Sequence, residues 1–573
     1  MEERIKMMNL SRRKFISTSA KCAVAVTVLR SFVPARAAEQ AAAVQPLFAR
    51  LDQYIARHMT ETGVPGMTLA LANRDGLIRV STYGYADTKA GARVVPETMF
   101  EIGSISKSFV GLILLQLRDE GKLDLNKPIV EYLPWLKVNS KFEAITPHHI
   151  LTHSAGLPGA PLTIDALLGE LWTAYAPGKR FLYSNIGYII LGFLIEALDK
   201  RPFAESMRTR MLVPLGMNAS APLITHDLRK QMAVGYKPLE DAKPFQLRGP
   251  LAEAQWIEVD LAAGSIASTP GDMAKYLRML LNRGALPKGR LVSEEGFAVF
   301  TKPAINSPYR GEPASYGYGV WVSDIEGHTR LRHTGGMVAF SSSMDIDVTA
   351  GIGAFASVNA NLRGYRPVAV TRYAVDLFNA SLAAKSLPDP PAAPPSPAEV
   401  KNAADYAGLY TTTDGKKLEL SAEGDKLFLV HGNRKVVLER AGTDRFFVKH
   451  PDFDRFLLGF ERENKQVTQA FFGSDWYLGE KYTGPKTFET KKEWEAFAGH
   501  YYNDSPWYGD IRIVLRKGQL LLEGLQPLTV RSDGKFAFGD PEGPDWITFE
   551  SIVDGRAMRM NWSGIIYRRT FTP

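Results

Sequence analysis

Apolar residues recur along this chain at two different periods, and the change from one to the other divides it. In "FVGLILLQLRDEGKL" from Phe109, "GYIILGFLIEAL" from Gly187 and "DMAKYLRMLL" from Asp272 they fall at helical spacing, so each stretch predicts a helix. The last is opened by Thr269 and Pro270, a helix-start pair. "GMTLALANRDGLIRVSTYGYA" from Gly66 predicts instead two strands joined by a tight turn at Asp75-Gly76. "GVWVSDIEGHTRLRHTGG" and "SMDIDVTAGIGAFASVNA" add strands later in the same half. The expected arrangement is an α/β (α+β) domain over residues 45–382, with an antiparallel sheet built from both ends of the segment and helices between.

Residues 383–400 break the pattern. "KSLPDPPAAPPSPAEV" is dense in proline with almost nothing to bury, which predicts an extended, semi-rigid linker. Beyond it helical periodicity disappears. Short alternating strands with turns at Asp414-Gly415, Glu423-Gly424 and Asp533-Gly534 predict up-and-down barrels. "YAGLY" at 406 returns as "FAGHY" at 497, and "DRFFV" at 444 is echoed by "GKFAF" at 534. Two copies of one small antiparallel β module follow from this repeat, over residues 401–490 and 491–573.

The N-terminus changes how the charge is read. Residues 1–37 carry a twin-arginine pair, Arg12 and Arg13, an apolar run around Ala23 to Leu29 too short to span a bilayer, and a small-residue Ala35-x-Ala37 site. This predicts a twin-arginine export signal cut near Ala37 and a periplasmic or secreted bacterial protein, with no stable membrane insertion after cleavage. Eight of the 69 basic residues but only two of the 61 acidic ones lie in that stretch, so the remainder is close to neutral. No strong positive field is left to argue for nucleic acid. Cys22, the one cysteine, leaves with the signal, which removes disulfides, thiolate metal sites and a cysteine nucleophile from the expectations.

Candidate chemistry centres on "EIGSISKSFVG", where Ser104 precedes Lys107 by three residues. A serine hydroxyl needs a proton acceptor to act as a nucleophile, and a lysine one helical turn away, buried and so lowered in pKa, can supply one. The tetrapeptide also occurs at Ser11 to Lys14, within the export signal, and at Ser532 to Lys535, in a predicted hairpin turn. Context singles out Ser104. "FLYSNIGY" offers Tyr183 and Asn185 just before an apolar helix, and "LRHTGGM" offers His333, Thr334, Gly335 and Gly336, whose glycines would let a substrate backbone approach closely. His148, His149 and His153 cluster in sequence but lack the glutamate of a zinc-protease helix, so capping or packing is expected of them, with no metal and no cofactor.

Ser104-x-x-Lys107, Tyr183-x-Asn185 and His333-Thr334-Gly335, in that order, resemble the three motifs of the serine β-lactamase and penicillin-binding protein family, on the branch of class C β-lactamases, D-alanyl-D-alanine carboxypeptidases, D-aminopeptidases and related esterases. "GVPGMTLALA", "TPHHILTHSAGL", "PGKRFLYSNIGY" and "YGYGVWV" extend the resemblance through the first half, and the paired β modules are similar to the lipocalin-like modules of D-aminopeptidases. The resemblance implies a β-lactamase/transpeptidase-like domain and an acyl-enzyme mechanism. Ser104 would attack, Lys107 and Tyr183 would share the general-base role, and Asn185 would bind the substrate amide, with His333, Thr334 and Gly335 on the substrate-binding strand. The N–H groups of Ser104 and Gly336 would hold the oxyanion.

Two departures stand out: His333 replaces the lysine of class C β-lactamases, and "MVAF" follows the glycines where many relatives have a proline-glycine pair. As a functional group His333 would tune the site near physiological pH. The resulting expectation is an exported serine hydrolase of amide or peptide bonds in short or unusual peptides, linear, D-residue-containing or non-ribosomal. The alternatives are an esterase, a β-lactamase or D-alanyl-D-alanine carboxypeptidase, or a penicillin-binding sensor that does not turn over.

Overall fold

The computed structural model describes residues 35–159, 171–240 and 242–570, with side chains from residue 44. Arg12, Arg13 and Cys22, which carry the export-signal reading, lie outside the described residues. The chain divides into two compact units, one ending at Ala56 and one beginning at Arg57. In the first, Leu47, Leu51, Tyr54 and Ile55 form the buried stripe of helix α1 (Ala35–Thr62), a helical repeat of apolar positions.

The second unit opens with a nine-stranded sheet. Its strands are β1 (Gly66–Asn73), β2 (Leu77–Asp87), β3 (Ala92–Arg93), β4 (Ile305–Asn306), β5 (Ser315–Tyr316), β6 (Trp321–Ile325), β7 (His328–Gly336), β8 (Ser341–Asp347) and β9 (Ile352–Val358). They lie in the order β4-β5-β6-β7-β8-β9-β1-β2-β3 and pair antiparallel throughout. The sheet is therefore closed from both ends of the segment, Met67 of β1 pairing with Val358 of β9. The β1–β2 turn falls at Asp75-Gly76 as predicted, where the Asn73 side chain accepts both of their N–H groups.

Four longer helices serve this sheet: α2 (Ser106–Asp119), α3 (Asn185–Asp199), α4 (Pro270–Leu281) and α5 (Val368–Leu382). α4 packs across β1 and β9, and α5 across β8 and β9. On β8, Ser343 bonds Thr371 of α5, while the alternate residues Met344 and Ile346 join the cluster that contains Leu277 of α4. Both faces of β8 are covered, which is why it is buried at every position. α2 is apolar almost all round: Phe109, Val110, Leu112, Ile113, Leu114, Leu115 and Leu117 are wholly buried. At about 1.5–3 kcal/mol of transfer free energy per such side chain, this helix is the anchor of the core. Gly111 lets it close on its surroundings, since a Cβ there would meet Tyr318 O at 2.4 Å.

Two closed eight-stranded antiparallel barrels follow, each with its strands in chain order. In the first, Tyr410 of the opening strand pairs with Gly479 of the last; in the second, Tyr501 pairs with Arg569. The sequence repeat marks equivalent places. Tyr410 donates its hydroxyl to Tyr406 O (2.9 Å), and Tyr501 to Phe497 O (2.8 Å). The second pair of echoes forms the fifth strand of each barrel, Arg445–Val448 and Phe536–Phe538. Among the described residues no helix is long and apolar enough to cross a membrane.

Candidate active site

Ser104 lies in a single 3-10 turn (Gly103–Ile105) that runs into α2, so it stands just ahead of the helix rather than within it. Gly103 makes the approach possible. Its φ is +53°, and a Cβ on it would meet Gly336 N at 2.9 Å and Gly335 Cα at 3.1 Å. At Gly335 a Cβ would fall 1.9 Å from Ile102 O and 2.3 Å from Ser342 Oγ, a hydroxyl that donates to Ile102 O at 2.8 Å. Glycine is required on both sides of this contact, and the contact sets the Ser104 turn against the end of β7.

Lys107 projects from the first turn of α2 into a fully buried position. Its Nζ lies 3.0 Å from Ser104 Oγ, 2.8 Å from Asn185 Oδ1 and 2.7 Å from Ala263 O. Burial drives its pKa well below the ordinary lysine value. A neutral amine has two N–H donors and one lone pair. Asn185 Oδ1 and Ala263 O can take the two hydrogens, which leaves the lone pair to accept the Ser104 hydroxyl proton.

Tyr183 stands beside this pair, its ring 5.0 Å from Lys107 Nζ, and burial of its hydroxyl raises its pKa against the opposing influence of Ser104 and of the Arg366 charge. It is fixed by the N-terminus of α3, where Ser184 caps the helix by accepting the Gly187 N–H. His153 packs behind it, ring centroids 4.2 Å apart, with a φ of +55°. His153 Nδ1 accepts the Ser184 N–H (3.1 Å), so its Nε2 carries the proton, buried and without a hydrogen-bond partner. Burial keeps this imidazole neutral. Its neighbours have the expected structural roles: Thr146 and His149 form a capping box, and His148 Nδ1 lies 2.7 Å from Tyr318 Oη. Among the described residues, one group of three ligand-type side chains converges, in the first barrel, where His431 Nε2 and His450 Nδ1 lie 3.2 and 3.7 Å from Asp452 Oδ2.

His333 departs from its expected role. Its Nδ1–H donates to Thr334 O (2.7 Å), its Nε2 accepts from Tyr316 Oη (3.1 Å), and burial pushes its pKa down to about 3. It is a neutral member of an aromatic wall with Trp321 and Tyr183, and does not titrate near physiological pH. A cation near the site is Arg366, which the sequence patterns do not flag because nothing distinguishes it from the chain's other basic residues. A Cβ on Gly336 would lie 1.8 Å from Arg366 Nη2, so the guanidinium covers that glycine.

Of the two other Ser-x-x-Lys matches, Ser11 to Lys14 lies outside the described residues, and Ser532 to Lys535 lies in the second barrel, in a hairpin closed by the Arg531 N–H donating to Lys535 O. That barrel also borders the cleft. Trp172 Nε1 donates to Pro544 O (2.7 Å), Arg180 pairs with Asp540 and Glu542, and Asp545 Oδ2 would be 3.4 Å from a Cβ on Gly159, as would Tyr183 O.

A family model described as Beta-lactamase matches residues 51–377. A protein named Beta-lactamase from Yersinia enterocolitica is 30% identical over 242 residues, which cover 40% of this chain and 58% of that one. "Protein flp" of Staphylococcus aureus (strain N315) is 25% identical over 248 residues, 41% of this chain and 49% of the other. The chain thus spans about half the length of the curated relatives it matches. Among solved structures, the octameric penicillin-binding protein homologue from Pyrococcus abyssi superposes with a TM-score of 0.53 at 25% identity, covering 75% of this chain and 99% of that one.

Proposed function

Because the chain belongs to the β-lactamase family, we propose that it is a serine hydrolase cleaving amide or peptide bonds of short or unusual peptides through an acyl-enzyme on Ser104. The observation that carries this reading is the buried Lys107 amine, with acceptors for two hydrogens and Ser104 Oγ at 3.0 Å. Lys107 takes the hydroxyl proton as Ser104 Oγ attacks the carbonyl carbon. The N–H groups of Ser104 and Gly336 receive the oxyanion. Collapse breaks the C–N bond, and the leaving nitrogen takes a proton from Tyr183, which regains one from the Lys107 ammonium. Water then attacks the ester, its proton passing to the same pair, and Ser104 is restored.

The opposed pKa shifts fit this order of events: the lowered lysine is available as a neutral amine, and the raised tyrosine keeps its proton near neutral pH and passes it on only as it regains one from the Lys107 ammonium. Asn185, oriented through its Oδ1, turns its amide N–H groups to a substrate carbonyl, and His333, Thr334 and Gly335 form the wall along which the substrate lies. The second barrel at the cleft supports a restricted substrate such as a short peptide. The proposal retains export from the cytoplasm, which rests on Arg12 and Arg13.

The test is a panel of L- and D-peptide p-nitroanilides, p-nitrophenyl esters and nitrocefin. Sustained anilide release that vanishes in Ser104→Ala is expected. Turnover of esters alone, or of nitrocefin alone, would replace the peptidase reading by an esterase or a β-lactamase, and a stoichiometric burst without turnover would replace it by a sensor.

A further inference from the structure

Two histidines and an aspartate meet on the first barrel from separate parts of its chain. His431 closes the strand Lys426–His431, while His450 and Asp452 belong to the segment that joins the strands Arg445–Val448 and Leu458–Glu463. The ligand atoms of the three side chains all lie within 4.8 Å of one another. His431 Nε2 stands 3.2 Å and His450 Nδ1 3.7 Å from the same oxygen, Asp452 Oδ2. Two ligand atoms bonded to one tetrahedral zinc ion lie about 3.3–3.6 Å apart, so an ion fits among these atoms with small side-chain movements.

The protonation of His450 argues against a plain bond between it and the carboxylate. Its Nδ1 accepts the Asp452 N–H at 3.3 Å, so that nitrogen carries a lone pair and not a proton. A lone pair thus faces a carboxylate oxygen, and two acceptors repel unless a cation stands between them. The backbone holds them in this relation. Pro451 confines the residue before it to extended backbone, and His450 has φ −142° and ψ 136°, with Asp452 following in the 3-10 turn Pro451–Phe453. The Phe453 ring backs both imidazoles, its centroid 5.9 Å from that of His431 and 6.3 Å from that of His450, and packs in turn on Phe472 at 5.0 Å. The other side is open: the His431 and Asp452 side chains are 44% and 62% exposed, which gives an ion a way in and water a place to complete its coordination.

We propose that His431, His450 and Asp452 bind a divalent transition ion of the zinc class, with water in the remaining position, and that the ion clips the 449–457 segment to the barrel. Two imidazoles and one carboxylate suit such an ion, whereas Ca²⁺ and Mg²⁺ take oxygen ligands. The ion would also steady a contact between domains, since Asp454 in the same segment accepts from Lys243 Nζ of the hydrolase domain at 2.7 Å. The site owes nothing to Ser104 and stands apart from the hydrolase reading.

The experiment titrates the full chain, stripped with a chelator and dialysed, with zinc chloride in a calorimeter. One site with a dissociation constant of about 1 µM or tighter is expected. His431→Ala and Asp452→Asn should each weaken it at least about tenfold, and His226→Ala, which replaces an exposed histidine of the hydrolase domain, should leave it unchanged. Asp452→Asn keeps the shape of the turn, so its loss of affinity is not a loss of fold. Zinc in excess should slow amide exchange across residues 449–457 in the parent and not in His431→Ala. The absence of a zinc site of this affinity, or one that keeps its affinity in both variants, would overturn the site. A site weakened in both variants but without slowed exchange at 449–457 would overturn the clip.

Discussion

Lys107 Nζ lies 2.8 Å from Asn185 Oδ1, so the first residue of α3 holds one hydrogen of the amine at the base of α2. An uncharged acceptor is essential here, because a carboxylate would favour the ammonium form. Asn185→Asp should therefore raise the Lys107 pKa, move the acid limb of the kcat/KM profile up by about one pH unit or more, and cost at least tenfold in rate near neutrality. The limb lies below the ordinary lysine range in the parent enzyme because burial lowers Lys107. A profile that keeps its position in Asn185→Asp would remove Lys107 from the role of proton acceptor.

Tyr183 is raised in pKa by burial, opposite to Lys107, and its ring lies 5.0 Å from Lys107 Nζ. Tyr183→Phe should keep the ring packing on His153 while deleting the donor. We expect kcat to fall by roughly a hundredfold with little change in KM. A release of p-nitroanilide at the parent rate would mean that the leaving group is protonated from elsewhere. His333→Asn is the companion measurement: since His333 is neutral down to about pH 3, its replacement should leave the position of the acid limb unchanged.

Gly335 and Gly271 offer a paired test of the close approach at β7. A methyl group at Gly335 would overlap Ile102 O and Ser342 Oγ, whereas one at Gly271, in the first turn of α4, meets nothing within 4 Å. Gly335→Ala should lose about 1–3 kcal/mol of stability or more, together with activity, because the Ser104 turn must shift. Gly271→Ala should be neutral or stabilising by up to about 1 kcal/mol. Urea unfolding of both variants decides it; equal stabilities would refute the steric account of Gly335.

Much of this architecture is legible in periodicity because local rules and global packing agree. The turn at Asp75-Gly76, the Thr269 cap of α4 and the repeated Tyr410 and Tyr501 each follow from a local rule that the fold keeps. The Ser104, Lys107, Tyr183 and Asn185 cluster was visible only as ordered motifs, since what joins it is a bond between α2 and the start of α3, Lys107 to Asn185, across 78 residues of chain. Arg366 was invisible for a different reason. Its significance comes from its place over Gly336, and a lone arginine in a loop has no pattern to betray it. His333 misled because its residue type suggests titration, while Tyr316 and Thr334 O satisfy both ring nitrogens in the neutral form.

Glu101 supplies a pH dependence that does not involve the chemistry directly. It sits two residues before Gly103 in a short strand paired with Ala267–Ser268, is only 5% exposed, and burial raises its pKa to about 8 from an ordinary 4.5. Its folded pKa is above its unfolded one, so the folded state holds the proton more tightly. The associated stability is fully present below about pH 4.5 and is lost as the pH rises toward 8. Glu101→Gln removes this proton uptake and keeps the neutral shape. The unfolding free energy of Glu101→Gln minus that of the parent should therefore grow between pH 5 and pH 8 by an amount on the order of a few kcal/mol, then level off above pH 8. Because the strand leads into the serine turn, the parent should also lose activity in step with its stability as the pH rises toward 8, and the variant should not. A stability difference that is the same at pH 5 and pH 8 would show that Glu101 is already ionised in the fold and that some other group meets its charge.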